Sequence, residues 1–135
     1  MNSNCVPPHV ASLIETLKRN EMVFEIWLIG SRVNGTEKPS SDWDVLVMAT
    51  TEPSVRQKDH ADIDVIWCGP SGACLAGGCA QNLAFPFSDF SWLESEGNAS
   101  YRGRKFTEFE YGVARDISEP VQVRTRQNAV CLWRR

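Results

Sequence analysis

The stretch Gly30-Ser31-Arg32-Val33-Asn34-Gly35-Thr36-Glu37-Lys38-Pro39-Ser40-Ser41-Asp42-Trp43-Asp44-Val45-Leu46-Val47 decides how this chain is read. Ahead of it, Met22 to Ile29 is almost unbroken in β-favouring residues (Val23, Phe24, Ile26, Trp27, Leu28, Ile29), the pattern of a central strand covered on both faces. Gly30 ends that strand. Ser31 to Gly35 reads as a short helical turn, and Glu37 to Ser41 as a loop rich in turn-forming residues. A second strand follows from about Trp43 to Ala49. Side chains at i and i+2 of a strand share a face, so Asp42 and Asp44 project together at its N-terminal edge. A third apolar run, roughly Asp62 to Cys68, opens in the same way, with Asp62-Ile63-Asp64 ahead of Val65-Ile66-Trp67.

Carboxylates written into apolar strands are costly unless something positive sits between them. A divalent cation is the economical partner. Magnesium suits a site of a few carboxylates, because its other positions are filled by water and substrate phosphates. Two such ions can clamp the attacking and departing oxygens of a phosphoryl transfer. Gly30 supplies a backbone that can approach a phosphate closely, since no Cβ intervenes. The Ser31 hydroxyl and the first amides of the turn after it would face the anion. Ordinary roles exist for each residue alone: Asp42 as a turn residue after Pro39-Ser40-Ser41, Ser31 as a helix N-cap. Asp44 is harder to place that way, being the second acid on one face of an apolar strand.

With 135 residues and 42% apolar content, the chain has material for one modest core, and a single domain over residues 1–135 is expected. No run approaches the roughly 18–20 apolar residues that span a bilayer, so no membrane association is expected. Met1 to Pro8 is polar and proline-bearing, unlike a secretory signal. Five cysteines, an odd number without secretory context, predict reduced thiols and a cytoplasmic location. Cys68, Cys74 and Cys79 lack zinc-site spacing and read as core thiols, while His9 and His60 read as lone surface residues. A net charge of −3 advertises no nucleic-acid partner.

Elsewhere the signals are plainer or weaker. Pro7-Pro8 followed by Val10, Leu13, Ile14 and Leu17 predicts an amphipathic helix to about Asn20. Gly69 to Gly78 reads as a loop or a poor small-residue helix. Phe85 to Leu93 is aromatic-rich and interrupted by Pro86. Ala99 to Phe106 reads as a fourth strand; at a sheet edge, Arg102 and Arg104 would share a face. Pro120 to Trp133 reads as a terminal helix, and the five tryptophans as core or interface.

Gly30-Ser31, ten intervening residues and then Asp42-Trp43-Asp44 resemble the signature of the DNA polymerase β-like nucleotidyltransferase superfamily, and within it the minimal nucleotidyltransferases (MNT type). The likeness covers roughly residues 22–68. It implies an α/β (α+β) fold, a mixed β-sheet flanked by helices. It also implies transfer of a nucleoside monophosphate from a nucleoside triphosphate, expected to be ATP, to a hydroxyl acceptor with release of pyrophosphate. The cofactor would be Mg²⁺, with Mn²⁺ as an alternative. The resemblance assigns metal binding to Asp42 and Asp44, the triphosphate tail to Gly30 and Ser31, and a third carboxylate that binds metal and orients the acceptor hydroxyl. Asp62 and Asp64 are both candidates for that third acid; Asp64 is preferred, because Val65-Ile66-Trp67 follows it as Val45-Leu46-Val47 follows Asp44. Larger members carry extra domains for which this chain has no room, which leaves a small-molecule acceptor met at a homodimer interface, or a protein acceptor. The spacing is also similar to that of MNT antitoxins, which pair with HEPN toxins and in some cases adenylylate them. A chain of that kind would act chiefly by binding its toxin partner.

Overall fold

A computed structural model describes residues 6–35, 37–54, 61–76, 84–102 and 126–135. Helix α1, Pro8–Lys18, starts with proline in its first turn, where the missing N–H costs nothing, and it buries Val10, Ile14 and Leu17. Strands β1 (Val23–Ile29) and β2 (Trp43–Ala49) flank the four-residue helix α2, Ser31–Asn34. Strand β3 (Ile63–Cys68) pairs parallel to β2, and every other pairing is antiparallel. After β4 (Ala73–Ala76) and β5 (Ala84–Pro86) come a 3-10 turn at Phe87–Phe90, then β6 (Leu93–Ser95), β7 (Asn98–Arg102) and β8 (Arg126–Arg134). The described strands form one eight-stranded mixed sheet in the order β5-β4-β3-β2-β1-β8-β7-β6.

That order forces the sheet to curl. Seven inter-strand gaps of about 4.8 Å would set β5 and β6 some 34 Å apart in a flat sheet. Yet only residues 87–92 join Pro86 to Leu93, and seven extended steps reach at most about 25 Å. Part of that link is coiled as a 3-10 turn, which shortens it further. The two edges therefore bend toward each other, and the link crosses the concave face. Its aromatic residues fill the hollow: Phe90 meets Phe85 and Tyr101 edge-on, and Trp92 meets Trp27 edge-on and stacks on Tyr101.

Strand alternation sorts the core into two faces. Ile26, Leu28, Val45, Val47, Ile63 and Val65 face α1. Trp27, Ile29, Leu46, Ile66, Cys68 and Tyr101 line the concave side with Phe90. Cys68 and Cys74 are cross-strand partners in β3 and β4, both buried as free thiols, in keeping with core packing. The contact with Cys74 and burial together push the Cys68 thiol well above its usual range, which keeps it unreactive.

Four readings from sequence are corrected here. Residues 126–133 of the expected terminal helix lie in strand β8, because they cover the otherwise open edge of β1: Leu28 pairs with Val130 and Trp27 with Cys131; residues 120–125 of that helix lie outside the described residues. Within Gly69 to Gly78, neither loop nor helix holds throughout: Ala73–Ala76 is a strand. Pro70-Ser71-Gly72 closes its hairpin between Gly69 and Ala73, with the Gly72 N–H bonded to Gly69 O and Gly72 at φ +91°, a three-residue loop ending on a left-handed glycine. Strand β7 lies between β6 and β8 and so is not an edge; Arg104 and Phe106 lie outside the described residues. The helical flanking is also thinner than expected: among the described residues α1 is the one helix longer than four residues, and the domain is strand-rich. Among them, no helix is long and apolar enough to cross a membrane.

The concave aromatic cluster yields a test of the curl. Phe90→Ala removes a ring 3% exposed and wedged among Phe85, Phe87, Trp92 and Tyr101. It is expected to lower the unfolding free energy by about 3–5 kcal/mol, read by guanidinium denaturation. A change below about 1 kcal/mol would mean that the link does not fill the hollow.

Candidate functional site

The three elements of the motif meet at one rim of the sheet. Ile29 at the end of β1 is the register partner of Asp44 in β2, and Asp44 is the register partner of Asp64 in β3. Asp44 lies two residues before Leu46, and Asp64 two before Ile66; both of those side chains belong to the concave face. The two acids therefore stand side by side on that face, on strands about 4.8 Å apart. Asp42 lies just ahead of β2, where the Trp43 N–H bonds to Asp62 O at 2.7 Å and continues the ladder.

Asp62 goes elsewhere. Its Oδ2 lies 2.8 Å from His9 Nε2, so it reaches across to α1. His9, read from sequence as a lone surface residue, is half-exposed and paired with this acid. Register and pairing thus separate the two candidates: Asp64 adjoins Asp44, and Asp62 adjoins His9.

Gly30 is held in a backbone state reserved for glycine, at φ +82° and ψ −162°. A Cβ there would overlap Asp44 Oδ2, so the carboxylate packs directly on the glycine α-carbon. Each backbone group of Gly30 is engaged. Its N–H bonds to Tyr101 Oη at 2.8 Å. Its carbonyl accepts from the Val33 and Asn34 amides and from Asn34 Nδ2 at 2.8 Å. Asn34 also donates to Asn128 O and accepts from the Asn128 N–H at 2.8 Å, clamping α2 to β8.

Arg32 links the turn to the acids' loop. Its Nη2 donates to Ser41 O at 2.8 Å, one residue before Asp42, and its guanidinium lies 4.8 Å from the centre of the Trp43 ring. The buried Arg32 Nε has no hydrogen-bond partner among the described residues. Burial pushes the Tyr101 phenol up to about 12, and the nearby Asp44 charge adds to that, so the hydroxyl is protonated at neutral pH. Tyr101, Asn34 and Asn128 carry no motif that marks them in sequence. Their roles arise from contacts across the sheet.

Residues 11–67 match a family model described as Polymerase beta, Nucleotidyltransferase. This segment is therefore similar to polymerase β-like nucleotidyltransferase domains. It contains the glycine–serine turn and all four candidate acids, and it ends within β3. No curated protein and no solved structure gives a match to the chain.

Among the described residues, no group of three or more His, Cys, Asp or Glu side chains forms a metal cage. Magnesium does not need one, since it typically binds one or two carboxylates and takes its remaining ligands from water and phosphates. Asp44 and Asp64, register partners on β2 and β3, are two such carboxylates. A separate apolar cavity of about 340 Å³, lined by Phe24, Met48, Cys68 and Phe87, lies at the opposite ends of β1 to β3. It is remote from the acids.

The fit between Gly30 and Asp44 is directly testable. Gly30→Ala is expected to cost about 1–3 kcal/mol of stability from backbone strain alone, with further loss from the displaced carboxylate, measured by urea denaturation. A variant as stable as wild type would contradict the packing of Asp44 on the Gly30 α-carbon.

Proposed function

We propose that this chain transfers a nucleoside monophosphate from a nucleoside triphosphate, with ATP the expected donor, to a hydroxyl acceptor and releases pyrophosphate. The observation that carries the reading is the in-register pair Asp44 and Asp64 beside Gly30, within the segment that matches the nucleotidyltransferase family model. In this reading Asp42 and Asp44 hold Mg²⁺ together with Asp64, and Mn²⁺ would suit the same oxygens. When bound, the ion neutralises phosphate charge and that of the leaving pyrophosphate.

The chain's own residues supply the rest. The turn of Gly30 and Ser31 holds the triphosphate tail, with the Ser31 hydroxyl facing it. Asp64 accepts a hydrogen bond from the acceptor hydroxyl and orients its oxygen toward the α-phosphorus. Fixed charges and dipoles of this sort need no reorganisation during the reaction, which is where electrostatic catalysis gains most. The acceptor is a small molecule or a protein side chain. The MNT-type reading, a toxin partner included, belongs to the second of these.

Asp44→Asn is the deciding variant, since it keeps shape and removes the charge. Pyrophosphate release from ATP with Mg²⁺ is expected to fall at least about a hundredfold, the scale of losing one charge-stabilising group. Wild-type turnover in this variant would remove Asp44 from the mechanism.

A further inference from the structure

Two residues beyond the matched segment complete the motif. The Gly30 N–H is accepted by Tyr101 Oη at 2.8 Å, and that hydroxyl donates to Gln127 Oε1 at 3.0 Å. Tyr101 lies on β7 and Gln127 on β8, and the two are direct register partners. A hydroxyl has one proton, so donation to Gln127 leaves only lone pairs toward Gly30. The three groups form a directed chain in which each bond strengthens the next.

The location gives this chain its consequence. Tyr101 is 2% exposed, with its ring packed against Phe90 and Trp92. Asp44 packs on the α-carbon of the same glycine. Without the phenol oxygen, the Gly30 N–H would be an unpartnered donor beside that carboxylate, and a carboxylate is the strongest acceptor such a donor can find. An Asp44 oxygen recruited by the amide is an oxygen turned from a cation.

We propose that Tyr101 is a positioning residue for Gly30 and Asp44, its hydroxyl occupying the Gly30 amide so that the turn keeps its backbone conformation and the amide does not draw on the carboxylate packed against it. This rests on the nucleotidyltransferase reading above. It makes β7 and β8 part of the reaction unit, so that residues 11–67 alone do not carry a complete site.

The test uses the full chain, with Mn²⁺ and a non-hydrolysable ATP analogue as the calorimetric probe. Tyr101→Phe is expected to weaken binding by about tenfold, the worth of one lost hydrogen bond at a buried amide. Amide exchange at Gly30, followed by NMR, is expected to accelerate, while Val45 and Leu46 in β2 keep wild-type protection. Gln127→Leu is expected to weaken binding in the same direction, and Gln127→Glu, which retains an acceptor oxygen, to restore it. The Gln127 pair keeps the test decisive if Tyr101→Phe folds poorly. Unchanged binding and unchanged Gly30 exchange in Tyr101→Phe would overturn the proposal, as would equal losses in the two Gln127 variants. Failure of the wild-type chain to bind the Mn²⁺ nucleotide would instead overturn the nucleotidyltransferase reading, and this proposal with it.

Discussion

A carboxylate resting on a bare α-carbon is the constraint around which this molecule is arranged. Asp44 Oδ2 occupies the space a Cβ on residue 30 would need, and Gly30 adopts a backbone state that other residues do not tolerate. Neither partner can change alone. The contact joins the end of β1 to the start of β2, so it sets where the glycine–serine turn sits relative to the acids. The parallel pairing of β2 with β3 then brings Asp64 alongside. A shift of one residue in that pairing would send Asp64 to the helix-covered face, since strand side chains alternate.

Such an arrangement has to be braced, because strained glycine turns are easily lost. The braces come from distant strands. Tyr101 holds the Gly30 amide across a separation of 71 residues, and Asn34 is bonded to the Asn128 backbone across 94. Arg32 ties the same turn forward to Ser41. The curled sheet makes this possible, since a flat one would leave the link between β5 and β6 far too short. Curling also brings the aromatic link against Tyr101 and fixes its ring. Fold and site are thus coupled through one side chain.

The polar pairs away from this rim support the frame. Arg134 bridges Glu25 and Glu94, joining β8 to β1 and β6. Arg135 donates to the carbonyls of Lys18, Asn20 and Val23, and so closes the end of α1 against the start of β1. Exposed pairs of this kind contribute little each. Their value here is geometric, since they hold the last strand in register with the first.

Much of the motif-bearing half was legible without coordinates. Strand period, the Gly30 stop and the paired acids are local features, and β1, α2, β2 and β3 emerge within a residue or so of where the pattern sets them. The second half resisted for a physical reason. Val130 to Trp133 has no strong preference that outweighs tertiary context, and it becomes a strand because β1 offers an open edge. Gly69 to Gly72 held a turn signal that small-residue composition obscured. The choice between Asp62 and Asp64 could be argued from the apolar run that follows, but His9 drawing Asp62 toward α1 is a contact across 53 residues. The sequence by itself determined which residues carry the acids and the glycine, because spacing along a strand dictates which side chains share a face. Only the tertiary structure decided what surrounds them, because Tyr101, Asn128 and His9 reach the rim through sheet order and curl, which no local period encodes.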